Sequence, residues 1–179
     1  MRAHDGNIRT HVLAHAHPDH QGTSGAVCGW FDAELRCHEA DSEVVESGET
    51  AAPMPSNRSN RVLERLSAGP GHPVAETISE GDSVGGFEII ETPGNAPGYV
   101  SLWRERDWTV ILGDVLANVN LLTGRYGLQT LPDRFASDSD RSVESAREIA
   151  DLEPDTVCFG HGPPLHDGTE FEEFVASLS

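Results

Sequence analysis

Apolar and polar positions change period along the chain, and the changes mark its elements. Residues 8–14 (Ile-Arg-Thr-His-Val-Leu-Ala) alternate and then turn continuously apolar, the pattern of a strand entering a buried sheet. Gly22 to Phe31 is small and apolar enough for a helix packed close behind that strand's end. Arg36-Cys37-His38 reads as a short strand, and Asp41 to Glu46 as a short helix stopped by Gly48. Residues 48–60 carry Gly, two Pro, Ser and two Asn and read as a surface loop. Val62, Leu63 and Leu66 then share one helical face, ended by Gly69-Pro70-Gly71.

The period next shortens to two. Val74 to Ile78 and Val84 to Glu91 read as strands joined by a turn at Glu80-Gly81-Asp82. A rigid loop follows at Thr92-Pro93-Gly94-Asn95-Ala96-Pro97-Gly98. Tyr99 to Trp103 and Trp108 to Leu112 form a hairpin around Glu105-Arg106-Asp107, and the second of these strands runs into Gly113-Asp114. Residues 117–137 are expected to be irregular, lining or covering a site. Val143, Ala146, Ile149 and Ala150 mark a helix ended by Pro154, and Thr156 to Phe159 a buried strand that delivers Gly160-His161-Gly162-Pro163. Phe171, Phe174, Val175 and Leu178 make the core face of a last helix. Strands alternating with helices make this an α/β protein.

With 179 residues the chain is long enough for one domain with a sizeable core and hardly for two, so residues 1–179 are read as a single domain. Formal net charge is -18, and all twelve basic residues are arginine. The acids are spread along the chain, so they form a solvated face rather than a tail. Such a field repels nucleic-acid phosphates and anionic membranes, which argues for a small-molecule substrate, no nucleic acid and no membrane partner. The composition resembles that of proteins from salt-loving organisms, where salt screens self-repulsion. Cys28, Cys37 and Cys158 are sparse and lack a CxxC pairing, which argues for the reducing cytoplasm and for buried thiols acting as small hydrophobes. No signal peptide opens the sequence and no run of 18 apolar residues occurs.

Chemistry concentrates in His15-Ala16-His17-Pro18-Asp19-His20, which puts three imidazoles and a carboxylate into six positions directly after Val12-Leu13-Ala14. These residue types leaving a buried strand suit a zinc-binding loop. Four loops leave strand ends in all: 15–20, 92–98, 113–114 and 160–163. Catalytic groups collect where strands end, and a metal needs ligands from several such ends because one loop cannot surround an ion. His4, His11, His38, His72 and His166 fall outside these loops and are given no role.

The order HxHxDH, TPGxxPG, GDV and GHGP resembles the metallo-β-lactamase superfamily of metal-dependent hydrolases, nearest in style to its glyoxalase II-like and general hydrolase branches. The resemblance runs from about Ile8 to Pro164. It implies a four-layer αββα sandwich of two mixed sheets with a two-metal site at one edge. By that resemblance one metal takes His15 and His17, the second takes Asp19, His20 and His161, and Asp114 bridges both. Asp19 and Asp114 are the implied catalytic carboxylates, and the cofactor is zinc, one or two ions per chain, with iron or manganese as alternatives.

Two departures matter. The family's usual TPGH carries a histidine where this chain has Asn95, a neutral amide that is a poor zinc ligand beside imidazole, so the first metal loses its third ligand. The same change argues against the persulfide dioxygenase branch, whose single iron relies on that histidine. The family also has several strands before HxHxDH, whereas fourteen residues precede His15 here. The expectation is a start lying upstream or a shortened, decayed copy, with an open sheet edge that invites homo-oligomerisation. Two functions stay open on these residues: a metal-dependent hydrolase of a small ester, thioester or lactone, and a degenerate relative that binds metal or ligand with little turnover. A nuclease reading is disfavoured because there is no basic patch.

Overall fold

The apolar run after Ile8 forms a strand, as its pattern predicts, but a short one: β1 spans Thr10–Val12. The computed structural model describes residues 8–49, 69–132 and 136–178, so the expected loop over 50–60 and the helical face of Val62, Leu63 and Leu66 lie outside the described residues. The chain divides into two units, one carrying described residues 8–49 and 69–78, the other 79–132 and 136–178.

In the first unit β1, β2 (Glu34–His38) and β3 (Glu76–Ile78) make a parallel sheet in that order. Parallel neighbours need crossover connections, and helices supply them. Between β1 and β2 lie the single turn α1 (Pro18–Gln21) and α2 (Ser24–Phe31); α3 (Glu39–Ser47) follows β2 and stops at Gly48, in the left-handed region. Leu13, Ala16, Cys28, Leu35, Cys37 and Val45 form the core, with Val44 and Val74 packed against it. Burial pushes the Cys28 thiol up; burial first, then Asp41 and Glu46, push Cys37 up to about 12. Both thiols stay protonated and pack as hydrophobes. Truncating Leu35, 1% exposed, to alanine removes about 2–5 kcal/mol from this core.

The second unit holds a five-stranded mixed sheet, order β10-β7-β6-β5-β4, and a separate β8–β9 hairpin. β4 is Ser83–Val84 and β5 is Phe87–Glu91. The single strand expected over Val84 to Glu91 is therefore a tight hairpin. Gly85 and Gly86 turn it with φ of 62° and 81°, the positive pair a two-residue hairpin turn requires. β6 (Val100–Arg104) and β7 (Thr109–Gly113) form the expected antiparallel pair, and β10 (Thr156–Phe159) adds to β7 in parallel. Ile89, Val100, Val110, Leu112 and Val157 are buried in this unit.

The region expected to be irregular over 117–137 contains β8 (Ala117–Val119) and β9 (Tyr126–Gln129). The Asn120 carboxamide oxygen accepts from the amides of Leu122 and Thr123 and closes the turn between them. α4 (Ser139–Ala150) begins at Asp138, whose carboxylate accepts from the Arg141 amide at 3.0 Å. α5 (Gly168–Ser177) buries Phe171 and Val175; Phe174 and Leu178 are half-buried. Among the described residues no helix is long and apolar enough to cross a membrane.

Candidate metal centre

Each unit carries its own group of ligand-type side chains at strand ends. In the first unit the chain leaves β1 and passes through His15 to His17, the latter in extended backbone, before Pro18 opens α1. Asp19 and His20 therefore stand on a one-turn helix and not on a loop, because proline at the first helical position pre-sets its φ and needs no amide partner. The rings of His15 and His17 lie 4.4 Å apart edge to face, and those of His15 and His20 4.2 Å apart. His15 is 0% and His17 7% exposed. Asp19 Oδ2 sits 3.7 Å from His20 Nε2 and remains mostly exposed.

This group is anchored by a residue that sequence reasoning passes over as an ordinary helix-start acid. Asp41, 1% exposed on α3, accepts the Ala16 amide at 2.9 Å, and so fixes the backbone midway between His15 and His17. A carboxylate acceptor makes that a charge-assisted bond. Its partner is 25 positions away in sequence, so no local pattern signals it.

In the second unit Asp114 and His161 follow β7 and β10, which are parallel neighbours, and their side chains face each other with Asp114 Oδ2 3.5 Å from His161 Nε2. Asp114 is 4% exposed. Its amide donates to the hydroxyl of Tyr99, a buried residue that the sequence marks only as the start of a strand. Gly113 precedes it with φ of 65°, and a Cβ there would collide with that hydroxyl, so the Gly-Asp pair is fixed on both counts. The Ser101 hydroxyl donates to the Leu112 carbonyl at 3.2 Å and lies 2.8 Å from Thr92 Oγ1. The His161 loop is tied down in the same way: the Asn118 amide donates to the His161 carbonyl at 2.9 Å and the Asn118 carboxamide to the Pro163 carbonyl at 3.0 Å.

Asn95 is 2% exposed, and the TPGN loop around it is bolted to the start of α4. The Ser137 amide donates to the Asn95 carbonyl at 3.2 Å, the Asp138 amide to the Gly94 carbonyl at 2.8 Å, and the Ser145 hydroxyl to the Pro93 carbonyl at 2.8 Å. Asn95 and Asp114 line one small cavity.

The donor chemistry suits a borderline-soft divalent ion. Packed, largely buried imidazoles offer ring-nitrogen lone pairs in the first unit, and a buried carboxylate beside an imidazole offers an oxygen and a nitrogen in the second. Histidines outside these groups have other partners. His11 Nε2 meets Ser24 Oγ at 3.0 Å, His38 Nδ1 caps α3 at 3.1 Å, and His166 Nδ1 meets Thr156 Oγ1 at 3.4 Å. His4 lies outside the described residues.

A sequence profile described as the metallo-beta-lactamase superfamily matches residues 2–161, a stretch that contains both groups. The chain belongs to the metallo-beta-lactamase superfamily. A probable metallo-hydrolase of Bacillus subtilis, YflN, is 26% identical over 187 residues, covering 96% of this chain and 70% of its own length. Among metallo-beta-lactamase structures, that of the B3 enzyme BLEG-1 superposes with a TM-score of 0.69 at 25% identity, covering 96% of this chain and 78% of its own. The family protein TTHA1429 of Thermus thermophilus gives a TM-score of 0.63 at 24% identity, with 94% of this chain covered. The chain spans 60% of that protein's length. Its fold class is the α/β metallo-β-lactamase fold of these neighbours, and superfamily membership supports metal-dependent hydrolysis in general.

Proposed function

We propose that the protein holds one or two zinc ions and hydrolyses a small ester, thioester or lactone with a metal-activated water. His15 and His17 would serve one ion, Asp19, His20 and His161 the other, and Asp114 both. A bound divalent ion of this kind lowers the pKa of a coordinated water toward neutrality and polarises a carbonyl. The observation that carries the reading is the buried Asp114 carboxylate held 3.5 Å from His161 at the ends of adjacent parallel strands. Tyr99 holds the backbone of Asp114, and Asp41 that of the His15–His17 segment, so donor atoms are set before any ion arrives. Asp19 is the exposed carboxylate available to accept a proton at Oδ. Imidazole-rich donors favour zinc over iron or manganese. A net charge of -18 favours a small substrate over nucleic acid.

The test is metal content per chain by mass spectrometry, run beside turnover of ester, thioester and lactone substrates. Two ions with turnover support the reading; one ion or none without turnover sinks it. Asn95 favours a second reading, a relative that binds metal or ligand and turns over weakly. Asn95→His separates the two: a merely impaired first site gains zinc occupancy and hydrolysis, whereas unchanged stoichiometry means that Asn95 does not face the metal.

A further inference from the structure

We propose that the cavity shared by Asn95 and Asp114 is an acyl subsite that takes a short, uncharged aliphatic group; the proposal rests on the hydrolase reading above and names its substrate class. The cavity measures about 110 Å³ and lies within the second unit. Whole-ligand pockets usually measure about 300–1,000 Å³, so this one accepts a fragment and not a complete substrate. Val115, Leu116, Leu131 and Val143 give it apolar walls, and its lining also carries Asn95 and Asp114, the latter assigned to the ions. Apolar walls beside a reacting carbonyl fit the acyl side of a scissile bond.

Charge decides what kind of acyl group. The exposed Asp140 borders the cavity beside Asp114, which the reading above assigns to zinc, and none of the lining residues is basic. The chain as a whole carries -18. A second carboxylate on the substrate, as in a succinyl group, would enter without a counter-ion and against that field. The subsite is also preformed, because the hydrogen bonds from Ser137, Asp138 and Ser145 lock the Asn95 loop onto α4, which supplies Val143. A rigid wall discriminates by length, since each methylene gained or excluded in such a pocket changes specificity roughly 10–200-fold.

The experiment uses the zinc-loaded full chain with acetyl, butyryl, octanoyl and hemisuccinyl thioesters and p-nitrophenyl esters. The expected kcat/KM is highest for butyryl, with octanoyl and hemisuccinyl at least about tenfold lower. Val143→Phe should cut the butyryl-to-acetyl ratio roughly tenfold, and Val143→Ala should move the optimum toward longer chains, with circular dichroism confirming that both variants fold. A profile that is flat, favours hemisuccinyl, or is indifferent to both substitutions overturns the subsite. Saturation-transfer NMR with butyramide, acetamide and succinamate provides a readout without turnover. If no acyl substrate is hydrolysed but butyramide binds the parent protein and not Val143→Phe, the hydrolase reading falls and the subsite stands. If butyramide binds no better than acetamide, the subsite falls whatever the turnover.

Discussion

The two groups of ligand-type residues are built in opposite ways. In the first unit four of them arrive within six consecutive positions, and a buried carboxylate, Asp41, accepts the amide of Ala16 in their midst. In the second, Asn95, Asp114 and His161 come from three separate loops, and each loop is tied to its surroundings by several contacts: Ser137, Asp138 and Ser145 on the first, Tyr99 and Ser101 around the second, Asn118 on the third. A contiguous motif gets its relative geometry from covalent spacing and needs one anchor. A dispersed one needs many, because each loop pays its own ordering entropy. The first group should therefore respond sharply to loss of the Asp41 bond, and the second should degrade gradually.

The largest effect is expected at Asp114, the residue the proposed function assigns to both ions. Asp114→Ala should reduce turnover to background and lower zinc per chain, measured together on the same preparation. Retained hydrolysis would remove Asp114 from the centre and with it the proposed assignment. Next comes the Asp41 anchor of the first unit. Asp41→Ala leaves the Ala16 amide buried without its acceptor, which costs about 1–3 kcal/mol in chemical denaturation, and should weaken zinc binding roughly 10–100-fold as losses of supporting partners do. Asp41→Asn keeps an acceptor and should recover much of both. Equal damage from the two variants would mean that charge and not the bond matters at this position.

The same contrast explains what is legible in the sequence. HxHxDH announces a metal site because its ligands are adjacent, and the structure corrects it only locally: Pro18 turns the second half of the motif into a helical turn. Asp114 and His161 are legible only through their order along the chain, since a lone Gly-Asp or Gly-His-Gly carries little information. Asp41 and Tyr99 are not legible at all as anchors. Their partners, Ala16 and the Asp114 amide, lie 25 and 15 positions away, and nothing in local composition distinguishes an anchoring side chain from an ordinary one. In the fold, the hairpins at Gly85-Gly86 and at β8–β9 escape the pattern for different reasons. The first has a clear two-glycine signal that the apolar run from Val84 obscures; the second carries exposed Leu121, Leu122 and Tyr126, so its polarity does not resemble a surface turn.

Within the web of the second unit, Tyr99→Phe tests gradual degradation. It removes only the hydroxyl that accepts the Asp114 amide, worth about 1 kcal/mol net. Ser101 and Thr92 still brace the end of β7, so zinc content should hold while kcat falls by up to roughly fivefold, the equivalent of that energy. A loss of zinc as large as that from Asp41→Ala would show that the second half does not share its load among several contacts.

The smallest effect comes from the other side of the first unit. His11 on β1 meets Ser24 Oγ at 3.0 Å, and burial first, then the nearby His72, hold its pKa below the ordinary 6.5. Above that value the ring is neutral whether the chain is folded or not, and it leaves stability unchanged. As pH falls through 6.5 the unfolded chain takes up the proton before the folded protein does, so stability declines until the lowered folded pKa is reached and the penalty levels off. His11→Gln keeps a polar partner for Ser24 and removes the proton uptake. Denaturation of metal-free protein between about pH 5 and 7.5, the range over which an ordinary histidine titrates, should therefore show a shallower acid decline in the variant, with the two curves parallel above neutrality. Parallel curves over the whole range would mean that His11 is as accessible to protons folded as unfolded.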